Sequence, residues 1–126
     1  MKIGFIGLGN VGSKLSGSLL RNGFDVSVYD LSSQLMVEFA KKGAKIGENP
    51  EHLMNVCDTI ITCLPSPAAS NMVMQTMLPF VKEGKTWLEM STTDDAEVKR
   101  LGAEVISRGG KAVDCPVSGG CHRADT

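Results

Sequence analysis

The stretch Lys2-Ile3-Gly4-Phe5-Ile6-Gly7-Leu8-Gly9-Asn10-Val11-Gly12 decides the fold, because an apolar run leads directly into the glycine pattern G-x-G-x-x-G. The run, over residues 2–7, predicts a buried strand, and apolar residues then recur at a helical period at Val11, Leu15 and Leu19. A glycine pattern between a strand and a helix is where the pyrophosphate of a dinucleotide binds. The three glycines would form the tight turn, leave room for the phosphates and let the helix approach the strand. Unpaired N–H groups at the positive end of that helix would then bind the anion.

A second apolar strand follows this helix and ends at Asp30, 18 residues after Gly12. This is close to the spacing of about 20 residues at which an acidic side chain accepts hydrogen bonds from the adenosine ribose. A carboxylate there would also repel a 2′-phosphate, so we expect NAD to be the cofactor, with NADP disfavoured. The alternative is a glycine-rich structural turn followed by a surface aspartate, and the position of the motif directly after the first strand argues against it.

The composition is that of an ordinary globular domain. The chain has 126 residues, of which 42% are apolar and 21% charged, so we expect a single domain over residues 1–126. A net charge of −1 gives no electrostatic basis for binding nucleic acid or an anionic membrane, and no apolar stretch is long enough to span a bilayer. We expect neither partner, and a cytoplasmic location, or the mitochondrial matrix if a transit peptide has been removed.

The cysteines and histidines form no recognisable metal or redox pattern. There is no C-x-x-C pair, and His52 and His122 fall at no familiar zinc spacing, so we expect free thiols and no metal site. Two of the thiols bracket a predicted buried strand and should lie in the core. A catalytic thiol in the glycine-rich C-terminal loop would lack a histidine partner beyond its own neighbour. The cysteines are Cys57, Cys63, Cys115 and Cys121.

Strands and helices alternate along the whole chain. Asn49-Pro50 and Ser66-Pro67 are typical of a helix N-cap followed by its first residue, and Asp94 with Glu97 resembles a capping box. The β-α-β order, sustained over about six strands, predicts an α/β fold of the Rossmann type. This is a doubly wound parallel sheet between two layers of helices, with the strand order 3-2-1-4-5-6. The predicted strands cover residues 2–7, 25–30, 44–46, 58–64, 85–90 and 111–115.

Three loops follow the later strands, at the edge of a doubly wound sheet where ligands bind. The loop after the fourth strand contains Leu64 and Pro65, whose apolar side chains could pack on a cofactor. The loop after the fifth strand carries hydroxyl groups, including Thr92, that could bind the nicotinamide side or merely cap the next helix. After the sixth strand, Ser118 and the glycines beside it offer N–H and O–H groups to a carboxylate.

Four segments together resemble the β-hydroxyacid dehydrogenases, a family that includes 3-hydroxyisobutyrate dehydrogenase, tartronate semialdehyde reductase and, more distantly, 6-phosphogluconate dehydrogenase. The segments are GFIGLGNVG at residues 4–12, CLPS at 63–66, MSTT at 90–93 and DCPVSGG at 114–120. The resemblance covers essentially the whole chain. It implies that the cofactor is bound by Gly7, Leu8, Gly9, Asn10, Val11, Gly12, Asp30, Leu64, Pro65 and Thr92, and the substrate by Ser118, Gly119 and Gly120.

The resemblance also implies an activity, namely the NAD(P)-dependent oxidation of a small β-hydroxy acid, such as 3-hydroxyisobutyrate, to its semialdehyde, or the reverse. It implies a homo-oligomer for the full-length protein. The family's catalytic lysine lies on an all-helical domain that follows this one, so we assign no catalytic residue within these 126 residues. We therefore expect the chain to bind cofactor without efficient turnover. The alternatives are a non-catalytic dinucleotide-binding or interaction module, and a relative of imine reductase or 6-phosphogluconate dehydrogenase.

Overall fold

The computed structural model describes residues 1–90 and 95–114. Its strands all run parallel in one six-stranded sheet with the order β3-β2-β1-β4-β5-β6, which confirms the predicted Rossmann-type fold. The elements are β1 (Lys2–Ile6), α1 (Asn10–Arg21), β2 (Asp25–Tyr29), α2 (Ser33–Lys41), β3 (Lys45–Ile46), α3 (Pro50–Val56), β4 (Thr59–Thr62), α4 (Pro67–Met77), a short 3-10 turn (Leu78–Phe80), β5 (Thr86–Glu89), α5 (Asp95–Ser107) and β6 (Lys111–Asp114).

Two apolar clusters, one on each face of the sheet, give the domain its three layers. The cluster beneath α3, α4 and α5 includes Leu53, Ile60, Met77, Trp87 and Leu101. The cluster beneath α1 and α2 includes Phe5, Leu8, Val28, Phe39 and Ile61. The side chains of β1 and β4 are buried on both faces of the sheet. This explains why the sequences of these two strands are mainly apolar, as is typical of central parallel strands.

Several predicted strands are shorter in the structure. The run at residues 58–64 contains a regular strand only at Thr59–Thr62, because the chain turns away from the sheet at both ends. Hydrogen bonding to β1 nevertheless extends beyond the strand. The N–H groups of Asp58 and Cys63 donate to the carbonyl oxygens of Lys2 and Ile6, each at 2.9 Å.

Three of the helices begin with a side-chain cap. The N-cap residues Asn49 and Ser66, predicted from the sequence, are confirmed, and Ser32 caps α2. The capping hydrogen bonds run from His52 N–H to Asn49 Oδ1 at 2.7 Å, from Ala69 N–H to Ser66 Oγ at 3.1 Å and from Leu35 N–H to Ser32 Oγ at 3.3 Å. Asp94 lies outside the described residues. Helix α1 differs, because Gly9 stands at its N-cap.

The amino edge of the sheet is closed by two charged side chains. The Nζ of Lys85 donates to the carbonyl oxygens of Asn55 and Cys57, at 3.1 and 2.7 Å, and so caps the end of α3. Burial lowers the pKa of Lys85. An Oδ of Asp58 accepts a hydrogen bond from the Lys2 N–H at 2.9 Å, which lowers the pKa of Asp58. These two side chains therefore provide partners for three backbone groups at this edge, namely the N–H of Lys2 and the carbonyl oxygens of Asn55 and Cys57.

Within residues 1–90 and 95–114, none of the helices combines the length and apolar character needed to cross a bilayer.

Candidate functional site

A cavity of about 720 Å³ opens at the carboxyl edge of the sheet, where the chain leaves β1 for one face and β4 for the other. This is the topological switch point at which open α/β sheets bind ligands. Most of its lining comes from three segments, and Ile6, Leu35 and Met90 complete it. The loop after β1 contributes Gly7, Gly9, Asn10, Val11 and Gly12, the end of β2 contributes Tyr29, Asp30 and Leu31, and the β4–α4 region contributes Cys63, Leu64, Pro65, Ala69, Met72 and Val73.

The structure thus brings together most of the predicted cofactor-binding residues. Leu8 lies differently, because its side chain is buried in the core and only its backbone N–H faces the cavity region. Thr92 lies outside the described residues, as do the substrate-binding positions Ser118, Gly119 and Gly120. Cys57 is a free thiol buried in the core as expected, whereas Cys63 is half-buried and lines the cavity.

Several lining residues were not predicted, among them Tyr29, Leu31, Met72 and Val73. The first two flank Asp30 and so accompany it to the end of β2. The last two lie three and four residues after Ala69, on the face of α4 that looks into the cavity. That i, i+3, i+4 spacing was a signal available in the sequence.

The structure explains the absence of a side chain differently at each of the three motif glycines. Gly7 has a φ of +103°, and a Cβ there would overlap the carbonyl oxygen of Cys63. A Cβ on Gly12 would overlap the carbonyl oxygen of Gly7, so α1 packs against the preceding turn only because Gly12 has no side chain. A Cβ on Gly9 would meet nothing within 4 Å. The first and third glycines are therefore required by the fold, whereas the space beside the second is unoccupied by the described residues.

The N-terminus of α1 faces this space without a side-chain cap and without an acidic residue in its first turn. In the first hydrogen bond of the helix, the Ser13 N–H donates to the Gly9 carbonyl oxygen at 2.8 Å. The N–H groups of Asn10, Val11 and Gly12 precede that bond and have no acceptor inside the helix. Together with the positive end of the helix dipole, they form a site that suits a phosphate group.

Asp30 lies beside this loop, half-buried at the end of β2. One carboxylate oxygen accepts a hydrogen bond from the Leu8 N–H at 2.7 Å, and the other accepts one from the Ser32 N–H at 2.9 Å. A carboxylate offers about four lone-pair positions, so two remain for the hydroxyl groups of a ligand. The charge and the open lone pairs suit a ribose diol and disfavour a phosphate at the same place.

Apolar side chains form the outer walls of the cavity. Leu31 is 94% exposed and Met72 is 72% exposed, and such exposure of large apolar side chains at a cavity mouth is typical of a surface that a ligand covers. Leu64 and Pro65 continue this wall inward. The cavity therefore combines apolar walls for a flat base, a carboxylate for a sugar and backbone N–H groups for phosphates.

Among the described residues that line the cavity, the titratable side chains are those of Tyr29, Asp30 and Cys63. None of these lining residues is a lysine, arginine or histidine. Proton transfer requires a group of suitable pKa within hydrogen-bond reach of the reacting atom. Among the described lining residues, the site therefore offers a phenol, a carboxylate and a thiol, together with apolar walls and backbone N–H groups that can bind and orient a ligand.

Comparisons with known proteins agree with this chemistry. A family model described as the NAD binding domain of 6-phosphogluconate dehydrogenase matches residues 2–126. The chain is 36% identical over 121 residues to the cytokine-like nuclear factor N-PAC of Homo sapiens, covering 94% of this chain and 22% of that protein. It is also 36% identical over 125 residues to the mitochondrial 3-hydroxyisobutyrate dehydrogenase of Rattus norvegicus, covering 97% of this chain and 37% of that protein.

Solved structures share the fold over nearly the same span. A Mycobacterium tuberculosis 3-hydroxyisobutyrate dehydrogenase with L-serine superposes with a TM-score of 0.90 at 27% identity, over 98% of this chain and 43% of that one. An imine reductase from Pseudomonas sp. gives 0.82 at 28% identity, over 90% of this chain and 40% of that one. The chain thus spans well under half of the length of each of these relatives.

Proposed function

Because this chain belongs to the family of the NAD-binding domain of 6-phosphogluconate dehydrogenase and resembles the N-terminal domain of 3-hydroxyisobutyrate dehydrogenase, we propose that it binds NAD(H) and serves an oxidoreductase acting on a β-hydroxy acid. The observation that carries the proposal is the start of α1. Its N-cap is a glycine without a side-chain cap, and the space in front of that glycine is open. A helix end with these properties is suited to a diphosphate.

In the proposed complex, three parts of the cavity hold three parts of the cofactor. The backbone N–H groups at the start of α1 bind the diphosphate, and Asp30 binds the adenosine ribose. Leu31 and the apolar face of α4 contact the adenine. The remaining space, beside Cys63 and Met90 at the ends of β4 and β5, then receives the nicotinamide ribose and ring.

We propose that NAD is preferred over NADP. The carboxylate of Asp30 would face the 2′-phosphate of NADP, and the described lining residues include no lysine or arginine to compensate. A preference of about tenfold or more, equivalent to about 1.4 kcal/mol, is a modest expectation for such like-charge repulsion. Titration calorimetry with NADH and NADPH measures it, and tighter binding of NADPH would contradict the assignment of Asp30.

The proposed reaction is the oxidation of a 3-hydroxyisobutyrate-like β-hydroxy acid to its semialdehyde, or the reverse reduction. When bound, the nicotinamide supplies the hydride acceptor or donor. We further propose that Thr92 lies on the nicotinamide side and that Ser118, Gly119 and Gly120 bind the substrate carboxylate. We also propose that these 126 residues bind cofactor without efficient turnover; in support, the described lining of the cavity provides no lysine or histidine for the hydroxyl proton.

The test of cofactor binding compares two glycine-to-alanine substitutions in the same helix. Gly9→Ala places a methyl group in the proposed diphosphate site, and the affinity for NADH should fall about tenfold or more. Gly17→Ala is the matched control, because its methyl group would contact only the flexible end of Arg21, away from the cavity residues. Calorimetry should show NADH binding by the wild type and Gly17→Ala alike. No binding by the wild type, or an equal affinity for all three proteins, would overturn the proposal.

A second candidate function is a dinucleotide-binding module that performs no hydride transfer. It is supported by the 36% identity to N-PAC, a nuclear factor by name, which equals the identity to 3-hydroxyisobutyrate dehydrogenase. The lack of a lysine or histidine among the described cavity residues also favours it. The two candidates differ in one measurement on the protein that contains this chain. Reduction of NAD with 3-hydroxyisobutyrate supports the dehydrogenase, whereas NADH binding without any turnover supports the module.

The 28% identity to an imine reductase supports a variant of the first candidate function, in which the reaction is the reduction of an imine. Assays of the same protein with NADH or NADPH and a cyclic imine would reveal it. Turnover of the imine, in the absence of turnover of any hydroxy acid, would assign the chain to that reaction instead.

A further inference from the structure

The carboxylate of Asp30 accepts hydrogen bonds from two backbone N–H groups of the protein, without any ligand. We infer that Asp30 is a positioning residue for the phosphate-binding loop, in addition to the ribose contact on which the proposed function rests. Its Oδ2 atom accepts a hydrogen bond at 2.7 Å from the N–H of Leu8, the residue between the first two glycines of the G-x-G-x-x-G motif. A hydrogen bond from a backbone N–H to a carboxylate is shorter and stronger than one between neutral groups.

This bond completes a two-point attachment of the loop after β1 to the end of β2. The Gly7 N–H donates to the Tyr29 carbonyl oxygen at 3.0 Å, and the next N–H, of Leu8, donates to the side chain of Asp30. The Leu8 side chain is meanwhile held in the core at 1% exposure. The peptide between Gly7 and Leu8 is therefore fixed on both sides, and it leads directly to Gly9, which opens α1.

The second carboxylate oxygen fixes the other loop that borders the cavity. It accepts the Ser32 N–H at 2.9 Å, and Ser32 in turn caps α2 through its Oγ. Leu31 lies within this turn and lines the cavity. One charged side chain thus joins the diphosphate end of the site to the adenosine end, so losing it should loosen both.

The consequence is an effect on binding that is independent of the ribose hydroxyls. If Asp30 acted only on the ribose, its removal would not change the affinity for an NADH analogue whose adenosine ribose lacks both hydroxyl groups. If Asp30 also positions the loop, its removal should weaken that analogue as well, by about fivefold, because the loop must be reordered on binding.

The experiment measures NADH and its 2′,3′-dideoxyadenosine analogue by calorimetry on the wild type, Asp30→Ala, Asp30→Asn and Leu31→Ala. Leu31→Ala is the matched control, because it removes a neighbouring cavity wall without touching either loop hydrogen bond. Amide hydrogen exchange at Leu8 is measured in parallel on each protein without ligand. It reports the loop directly, and Asp30→Asn serves if the alanine variant does not fold.

We expect the Asp30 variants to bind the analogue more weakly than the wild type and to exchange the Leu8 amide faster, with Leu31→Ala showing wild-type exchange. Equal affinity of the wild type and the Asp30 variants for the analogue would overturn the positioning role while leaving the proposed function intact. If the wild type binds neither ligand, the proposed function fails. Hydrogen exchange then decides alone, and unchanged exchange at Leu8 overturns the inference too.

Discussion

Helices α1 and α3 pack on opposite faces of the same sheet. They differ in whether a side chain caps the unpaired N–H groups of the first turn. At α3, Asn49 closes the first turn with a 2.7 Å hydrogen bond to the His52 N–H, and Pro50 removes a further unpaired donor. At α1, Gly9 leaves the first turn open, toward the cavity. A side-chain cap is worth about 1 kcal/mol relative to alanine but only roughly a few tenths of a kcal/mol relative to glycine, so Gly9 leaves the first turn of α1 open at a small cost in stability. The difference shows which helix start leaves backbone N–H groups available, and it is there that we propose the diphosphate binds.

The largest expected effect tests whether the glycines of α1 serve structure or binding. Gly12→Ala would place a methyl group on the Gly7 carbonyl oxygen, so we expect a loss of about 3 kcal/mol or more in the free energy of unfolding. Gly9→Ala, whose methyl group meets nothing within 4 Å, should change it by less than about 1 kcal/mol. Urea denaturation followed by circular dichroism measures both. Equal stability of the two variants would contradict the separate roles of these glycines.

The next largest effect is expected from two substitutions that add a side-chain cap to α1 and remove the one at α3. Gly9→Ser would give α1 a cap of the kind found at α4, and it should lower NADH affinity about tenfold or more while changing stability by only a few tenths of a kcal/mol. Asn49→Ala should do the reverse, with about 1 kcal/mol of stability lost and NADH affinity unchanged, because Asn49 does not line the cavity. The contrast between α1 and α3 would be refuted if both substitutions affected binding equally.

A smaller effect concerns the two described cysteines, which flank β4 at its two ends. Burial raises the pKa of the Cys57 thiol at the amino end, whereas Cys63 is half-buried and lines the cavity at the carboxyl end. In a protein with Cys115 and Cys121 replaced by serine, iodoacetamide should modify Cys63 faster than Cys57. Saturating NADH should slow the modification of Cys63 severalfold, as mass spectrometry would show. Faster modification of Cys57, or no protection by NADH, would argue against a cofactor at this edge.

The smallest expected effect is the pH dependence of stability that arises from Asp58, at the amino edge of the sheet. The hydrogen bond from the Lys2 N–H lowers the pKa of Asp58 below its ordinary value, so the native state holds this proton less tightly than the unfolded chain. Its contribution to stability is therefore complete above about pH 4 and is lost as the pH falls through the lowered value. Asp58→Asn should reduce the acid dependence of urea unfolding below pH 4 without changing NADH affinity. An unchanged pH profile would show that Asp58 does not pin β1 to β4.

The sequence was sufficient for the strand order and for the caps of α3 and α4. Alternation of apolar segments with helical periods is a local property, and a doubly wound order follows from right-handed β-α-β connections. Asn-Pro and Ser-Pro before an apolar helix leave little choice of local conformation. The exact ends of strands such as Thr59–Thr62 were less predictable, because the chain leaves the sheet where tertiary packing ends.

What the sequence by itself determined is the open start of α1, since the glycine spacing alone requires a tight turn and a helix without a capping side chain. What only the tertiary structure decided is which distant groups meet that start. The parallel pairing of β1 with β2 puts Asp30 against Leu8, 22 residues away along the chain, and the turn into α4 brings Met72 to the cavity that Leu31 also lines. The spacing of Asp30 after Gly12 predicted that this carboxylate would lie near the loop, whereas its hydrogen bond to the Leu8 N–H depends on the pairing of β1 with β2 in the folded sheet.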